Sequence, residues 1–447
     1  MTGSRNDRRP DYSAWVTSDR PVPRLVIRPL AEFLQTESGG SVLLLVATIG
    51  ALVWANSPWG GLYERLWHTE ASLQVGGYEI RNDLRDWINE ALMAVFFFVV
   101  GLELKRELLD GELRHAKRAA LPVAAALGGM VLPAAIYISL NRSAGAVTGW
   151  GIPMATDIAF VLGALALIPR VPSGIKTFLL TLAIVDDIGA ILVIALFYSG
   201  GIEWRWLAVA VTLLAAILVV RWLHQHWRYL NLLGVDALHV IWLLSYAALA
   251  IGVWLAIFES GVHATIAGVA LAFTVRATGT SEPDDELEEH LDQADEELSP
   301  AERLEHFLHP WTSYGVIPLF ALANAGVRLD ADAFSRALTS TVTLGIVGGL
   351  VVGKLVGITA FSMAAVRLKI GLLPPGVRWS HVVGAGALAG IGFTVSLFIA
   401  GLAFAESPLE AHSKVGVMTG SLIAAGVGAG LLRLACRGAS RRHHGGT

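Results

Sequence analysis

Thr181-Leu-Ala-Ile-Val-Asp-Asp-Ile-Gly-Ala-Ile-Leu-Val-Ile-Ala-Leu-Phe-Tyr198 is an apolar run of membrane-spanning length that carries two adjacent aspartates, Asp186 and Asp187. A carboxylate at the centre of a membrane helix costs roughly 2.5 to 3.5 kcal/mol on insertion scales, so a vicinal pair requires a compensating reason, and function is the natural one. The surrounding chain supports the membrane reading. Its 447 residues are 54% hydrophobic and only 16% charged, with positive mean hydropathy, as in a polytopic membrane protein and unlike a soluble globule.

The net charge of −4 says little about partners, because the charges cluster in tails and loops. No basic array resembles a nucleic-acid footprint. The single cysteine, Cys436, excludes an intramolecular disulfide, and no cofactor motif is present. Runs of about 17 to 25 apolar residues define about twelve spans, near 39–57, 86–104, 119–140, 150–169, 174–199, 204–222, 235–257, 259–276, 306–327, 339–365, 380–404 and 413–435. An amino terminus held inside by Arg5, Arg8, Arg9, Arg20, Arg24 and Arg28 then places Lys105, Arg106, Arg114, Lys117, Arg118, Arg170, Lys176 and the terminal Arg433 to Arg442 in the cytoplasm. Both termini are expected there. Trp54, Trp87, Trp150, Trp204, Trp222 and Trp379 fall at span ends, where amphipathic rings meet the headgroups.

Residues 1–30 read as a cytosolic tail, 31–436 as the membrane-spanning domain and 437–447 as a second cytosolic tail. Leu73 to Ile80 alternates around a Gly-Gly pair, a signal for a short external hairpin over 70–82, with an ordinary loop as the alternative. The cytosolic loop 277–299 holds ten acidic residues between Ser281 and Leu298 and no lysine or arginine, as a solvated linker does. It ends in Ser299-Pro-Ala-Glu302, a capping box with proline at the first helical position, so a helix starts there. On that helix Glu302 and His306, and Glu305 and His309, are four apart. They form either a polar cap or a pH-responsive group, since histidine beside a carboxylate changes charge between about pH 5 and 8.

Three further features surround the aspartate pair. Thr156 and Asp157 follow Pro153, Gly151 and Gly149, so their helix either breaks near Thr156 or is softened by the proline. A break would expose carbonyls able to coordinate a cation, tolerable in a bilayer only where it lines a cavity or is buried in protein. The run Gly384 to Thr394 is similarly glycine-rich, as a second break or as a packing face of small residues. Lys354 is the remaining charge at this depth. It needs a carboxylate partner or loses its proton. Neighbouring helical residues point about 100° apart, so one of Asp186 and Asp187 can pair with Lys354 while the other faces an ion, without geometry saying which. Carboxylate, carbonyl and hydroxyl oxygens suit a small hard cation. Protons and cations would compete for them, which is the chemistry of antiport.

Trp87-Ile-Asn-Glu-Ala-Leu-Met-Ala-Val-Phe-Phe, Gly101-Leu-Glu-Leu-Lys-Arg-Glu107, Ala155-Thr-Asp-Ile-Ala-Phe160, Ala183-Ile-Val-Asp-Asp-Ile-Gly-Ala190, Ser260-Gly-Val-His-Ala-Thr265, Arg303-Leu-Glu-His-Phe-Leu-His-Pro-Trp311, Phe320-Ala-Leu-Ala-Asn-Ala-Gly326 and Gly390-Ile-Gly-Phe-Thr394 follow in order. From about Ser38 to Ala435 the chain resembles the NhaA family of sodium/proton antiporters. The resemblance implies an all-α integral membrane protein with two inverted-topology repeats and two broken helices crossing at the ion site. It also implies Asp187 as the principal sodium and proton carboxylate, Asp186 as the partner of Lys354, and Asp157 with Thr156 as supporting ion ligands. Glu103, Arg106, Glu107, His263, Glu305, His306 and His309 match positions tied in the family to pH response. Glu90 and Leu355 depart from its commonest residues.

Further implications are a homodimer joined through the external hairpin, a bacterial inner membrane, Na+ or Li+ as cargo and two protons exchanged per ion, with membrane lipid as surroundings. The rival readings are another proton-coupled transporter, a passive channel, or an intramembrane aspartyl protease, whose two aspartates share a proton. The protease is disfavoured because its sequence contexts are missing and it has no use for Lys354.

Overall fold

A computed structural model describes residues 37–75, 78–227, 235–277, 299–328, 331–405 and 407–443. The expected tail over 1–30, the Gly76-Gly77 turn and most of the acidic loop lie outside them. The chain folds as α1 (Glu37–Ala55), α2 (Gly60–Trp67), a two-stranded sheet, α3 (Leu84–Leu109), α4 (Ala116–Leu140), α5 (Gly145–Met154), α6 (Ile158–Ala166), α7 (Ser173–Tyr198), α8 (Trp204–Trp227), α9 (Val235–Glu259) and α10 (Thr265–Thr274). There follow α11 (residues 300–324), α12 (Ala331–Thr339), α13 (Thr341–Arg367), α14 (Trp379–Leu388), α15 (Phe393–Ala403) and α16 (Leu409–His443).

Among the described residues seven helices are long and apolar enough to cross a membrane, or ten when each of three bent pairs counts as one span. With α10 and α11 these fill the twelve expected segments. Two differences have physical causes. The span expected over 259–276 starts only at Thr265, because Gly261 takes a left-handed φ of 76° directly after α9. The 10 residues of α10 then reach about 15 Å, half of a hydrocarbon core. Beyond the first span the chain turns by 114° into α2, a helix absent from the sequence expectation. Tyr63 anchors it, buried, by donating its hydroxyl to the Leu322 and Ala323 carbonyls.

The Gly-Gly alternation does form a hairpin: β1 (Glu70–Val75) and β2 (Tyr78–Asp83) pair antiparallel, with Leu73 opposite Ile80. The capping box also forms. Ser299 Oγ accepts from the Glu302 amide, and Glu302 Oε2 accepts from the Ser299 amide at 2.7 Å.

The order long helix, broken helix, long helix occurs twice, as α4–α7 and as α13–α16. The long members α4 and α13 meet at Gly128 and Gly357, where a Cβ on either would lie 2.1 to 2.2 Å from the other's carbonyl oxygen. This close approach needs glycine on both sides and holds the two helices backbone to backbone. Along the broken members, Thr148 pairs with Ala403, Ile152 with Ser396, and Asp157 with Thr394 and Ile391. Numbers rise along one as they fall along the other, so the two run antiparallel with their breaks at one level. That is the inverted arrangement the resemblance implies.

Candidate functional site

Both glycine-rich segments break. Residues 155–157 are extended between α5 and α6, bent by 42°, and residues 389–392 separate α14 from α15 at 46°. Each break exposes amides and carbonyls that α-helices would have paired, and the partner break satisfies them. The Asp157 amide donates to the Ile391 carbonyl at 2.6 Å, and Thr156 Oγ1 to the Ala389 carbonyl at 2.9 Å. A break was expected to expose carbonyls able to coordinate a cation; at this crossing the Ile391 and Ala389 carbonyls each accept a hydrogen bond from the partner break.

Asp157 is the fastener. It caps α6, with Oδ1 accepting from the Phe160 amide at 3.2 Å, while Oδ2 accepts from the Thr394 amide at 3.0 Å and the Thr394 hydroxyl at 2.6 Å. One buried carboxylate thus faces the positive ends of two helices. Thr394 lies inside a quoted motif but was not expected to contact Asp157; a hydroxyl two residues after Gly390-Ile-Gly392 was the available signal. Thr394→Val keeps the shape and removes a charge-assisted hydrogen bond. It should lower stability by about 1.5 to 3 kcal/mol, while Thr394→Ser stays near wild type. Thermal unfolding in detergent checks both.

Five residues past Gly349 on α13, the chain brings in Lys354. A π-turn over Gly349–Gly353, whose terminal glycines rest on Pro153 and Pro133, precedes Lys354; such widened turns recur at functional sites. Lys354 Nζ lies 2.6 Å from Asp186 Oδ2 and donates to Thr156 Oγ1 at 2.9 Å, with both side chains of the ion pair 0% exposed. Asp186, not Asp187, is therefore the lysine's partner. Asp187 points elsewhere, keeps some accessible surface and makes no hydrogen bond or ion pair among the described residues. Asp186, Glu103, Asp157 and Lys354 are the charges that act on it. Three of the four are carboxylates, a field that favours a cation. No three His, Cys, Asp or Glu side chains converge as a metal cage among the described residues, so a cation here would draw on hydroxyls, carbonyls or water as well.

The residues matched to pH response form two separate groups. Arg106 Nη1 lies 3.1 Å from Glu305 Oε1, where the end of α3 meets the start of α11. Glu305 is 8% exposed and its other oxygen, Oε2, is buried without a hydrogen bond. Glu103 interacts electrostatically with both Glu305 and Asp187, linking this group to the ion site. Glu107 instead accepts from the Glu112 amide at 2.9 Å and closes the turn after α3. His306 and His309 are exposed and form no ion pair with Glu302 or Glu305, so the acid–histidine pairs expected from spacing do not close.

His263 is elsewhere. Its Nδ1 lies 3.2 Å from Glu90 Oε1 and its Nε2 2.8 Å from the Tyr198 carbonyl. Glu90 and Arg106 are sixteen residues apart on α3, about 24 Å along the helix, so His263 belongs with Glu90 and not with Glu305.

A sequence model of the family described as Na+/H+ antiporter 1 matches residues 31–432. The chain belongs to that family. It is 45% identical to the Na(+)/H(+) antiporter NhaA 3 of Frankia alni over 93% of this chain and 92% of the relative. It is 44% identical to the Na(+)/H(+) antiporter NhaA 2 of Sorangium cellulosum, over 97% and 96%. The Na(+)/H(+) antiporter NhaA of Rhodopirellula baltica is 42% identical, over 92% and 95%. Members of the Na+/H+ antiporter 1 family are secondary transporters and not enzymes. The geometry agrees: Asp186 is bound to Lys354 and Asp157 to two helix ends, which leaves Asp187 as the unengaged member of the three aspartates and no shared-proton aspartyl dyad among them.

Proposed function

We propose that the protein exports Na+ or Li+ from the cytoplasm of a bacterium in exchange for inward H+, as a homodimer in the inner membrane, with Asp187 carrying ion and proton by turns. The observation that carries this reading is the division of the aspartate pair: Lys354 neutralises Asp186, whereas Asp187 is unpaired beside the crossing of the two broken helices. Only an ionised Asp187 attracts a cation, and a proton arriving there expels it. Thr156 and Asp157 are the supporting ion ligands.

The engagement of Thr156 adds a step. Its hydroxyl donates to Ala389 and accepts from Lys354, so one oxygen lone pair is left for an ion and the second becomes free when Lys354 lets go. Release of a lysine proton as Asp186 turns toward the ion would provide the second proton beside that of Asp187. Two protons in for one ion out moves one net charge, about 2.3 kcal/mol per 100 mV of membrane potential. Proteoliposomes carrying a proton gradient and pulsed with Na+, Li+ or K+ test the reading. Na+ and Li+ should dissipate the gradient and K+ should not; proton movement indifferent to Na+ would end the antiport assignment.

Regulation by pH rests on Glu305 and Arg106, with Glu103 between them and Asp187. Burial pushes the Glu305 carboxyl above the ordinary glutamate range, against the pull of Arg106 and with the push of Glu103. A carboxyl raised on folding stabilises the fold below its unfolded pKa, and that contribution is lost as pH rises through the folded value. Alkalinisation therefore costs fold stability around Glu305, in the window above the usual carboxylate range, because the burial of its charge outweighs the attraction of Arg106. Glu305→Gln should flatten the pH dependence of exchange while sparing the maximal rate, measured as initial rate against pH; an equal loss at every pH would leave Glu305 a helix-packing residue only.

A further inference from the structure

Away from the ion site, three arginines converge without a counter-ion. Arg170, Arg433 and Arg437 line an open groove of about 450 Å³ together with Pro169 and Cys436. None of the three is within ion-pair distance of a carboxylate among the described residues. Like charges lining one groove repel, and an anion held between them would relieve that repulsion.

The groove's position names the anion's source. The membrane-spanning part of α16 ends at Arg437 and α6 ends at Ala166, so the arginines stand where two spans leave the hydrocarbon. Directly beside them Leu167 is 74% exposed and Leu434 66% exposed. Apolar side chains bared next to unpaired guanidinium groups present acyl-chain contacts below and a phosphate site above. Arg170 adds a structural commitment: it is one of two non-glycine residues described with positive φ, at 62°. A left-handed arginine is disfavoured on its own and persists where surrounding structure requires that geometry.

We infer that this groove binds the phosphate of an anionic phospholipid. The guanidinium fork matches phosphate oxygens two at a time, which a lysine ammonium does not. The lipid would bridge the turn after α6 to α16, where Arg433 already reaches the Leu167 carbonyl at 3.5 Å. Because Asp157 caps the start of α6, this bridge fastens the far end of the half-helix that adjoins the crossing.

The test uses the full chain in phosphatidylcholine nanodiscs, titrated with a fluorescent phosphatidylglycerol. Wild type should retain phosphatidylglycerol over phosphatidylcholine, and each of Arg170→Gln, Arg433→Gln and Arg437→Gln should weaken retention about fivefold, from roughly 1 kcal/mol per basic residue at the surface. Arg367→Gln, an exposed arginine at the end of α13, should change it less. Arg433→Lys keeps the charge and should fall between wild type and glutamine, which covers the case of a glutamine variant that does not fold. Equal retention by wild type and the three glutamine variants, or no headgroup preference in wild type, overturns the inference. So does full displacement by millimolar inorganic phosphate, which would make the groove a site for free anions.

Discussion

Asp187→Asn is expected to give a folded protein that no longer exchanges Na+ for H+. Asn is nearly the same shape as Asp, so packing around α7 is kept, and Asp187 has no hydrogen-bond partner among the described residues to lose. What disappears is a unit charge. At about 4 Å and an effective dielectric near 20 that charge is worth about 4 kcal/mol to a bound cation, so sodium affinity should fall by about a thousandfold. The proton carrier is lost in the same step, because an amide does not titrate. Removing a carboxylate held in apolar surroundings relieves desolvation, so the unfolding temperature should stay level or rise. Flux and melting measured together separate the outcomes: sodium-coupled proton flux surviving in a well-folded Asp187→Asn would move the carrier role elsewhere. Asp186→Asn, by contrast, should disturb stability, because it breaks an ion pair.

Lys354→Ala is expected to have the largest effect on stability. Lys354 and Asp186 are both fully enclosed at 2.6 Å, and cutting away one member leaves the other buried as an uncompensated charge. Breaking such a pair costs about 3–5 kcal/mol. The double variant Lys354→Ala with Asp186→Asn should recover much of that loss, since neither charge then remains. A single variant that melts with wild type would show that the pair does not hold α7 against α13. Transport gives a second reading of the same residue: the charge moved per sodium should fall if the lysine releases the second proton. Unchanged current per turnover would remove Lys354 from the proton path while leaving its structural role intact.

Much of this was legible in the residues. Hydropathy marks the spans because a bilayer demands long apolar runs with internally satisfied backbones. The charges at depth, Asp157, Asp186, Asp187 and Lys354, stand out because membrane helices exclude unexplained ones. Glycine and proline around Pro153 and Gly390 mark the breaks, and the Ser299 capping box marks the start of α11 at the correct residue. Less legible were α2, whose place depends on the Tyr63 hydroxyl reaching carbonyls some 260 positions away in sequence, and the short α10, shortened by the left-handed Gly261. Spacing also overreached at α11, where Glu305 turned to Arg106 on another helix and left His309 in solvent.

The division of labour between Asp186 and Asp187 shows where sequence stops. By itself the sequence determines that two adjacent carboxylates on one helix must point about 100° apart, and that a single lysine lies at comparable depth to answer one of them. Periodicity is a relative angle and says nothing about how α7 is rotated within the bundle. Only the tertiary structure sets that rotation: Gly189 of α7 packs closely against Met130 of α4, while Gly128 against Gly357 and the glycines before Lys354 against Pro153 and Pro133 place the lysine on the facing helix. Those contacts bring Lys354 to Asp186 and leave Asp187, partly accessible, without a hydrogen-bond or ion-pair partner among the described residues.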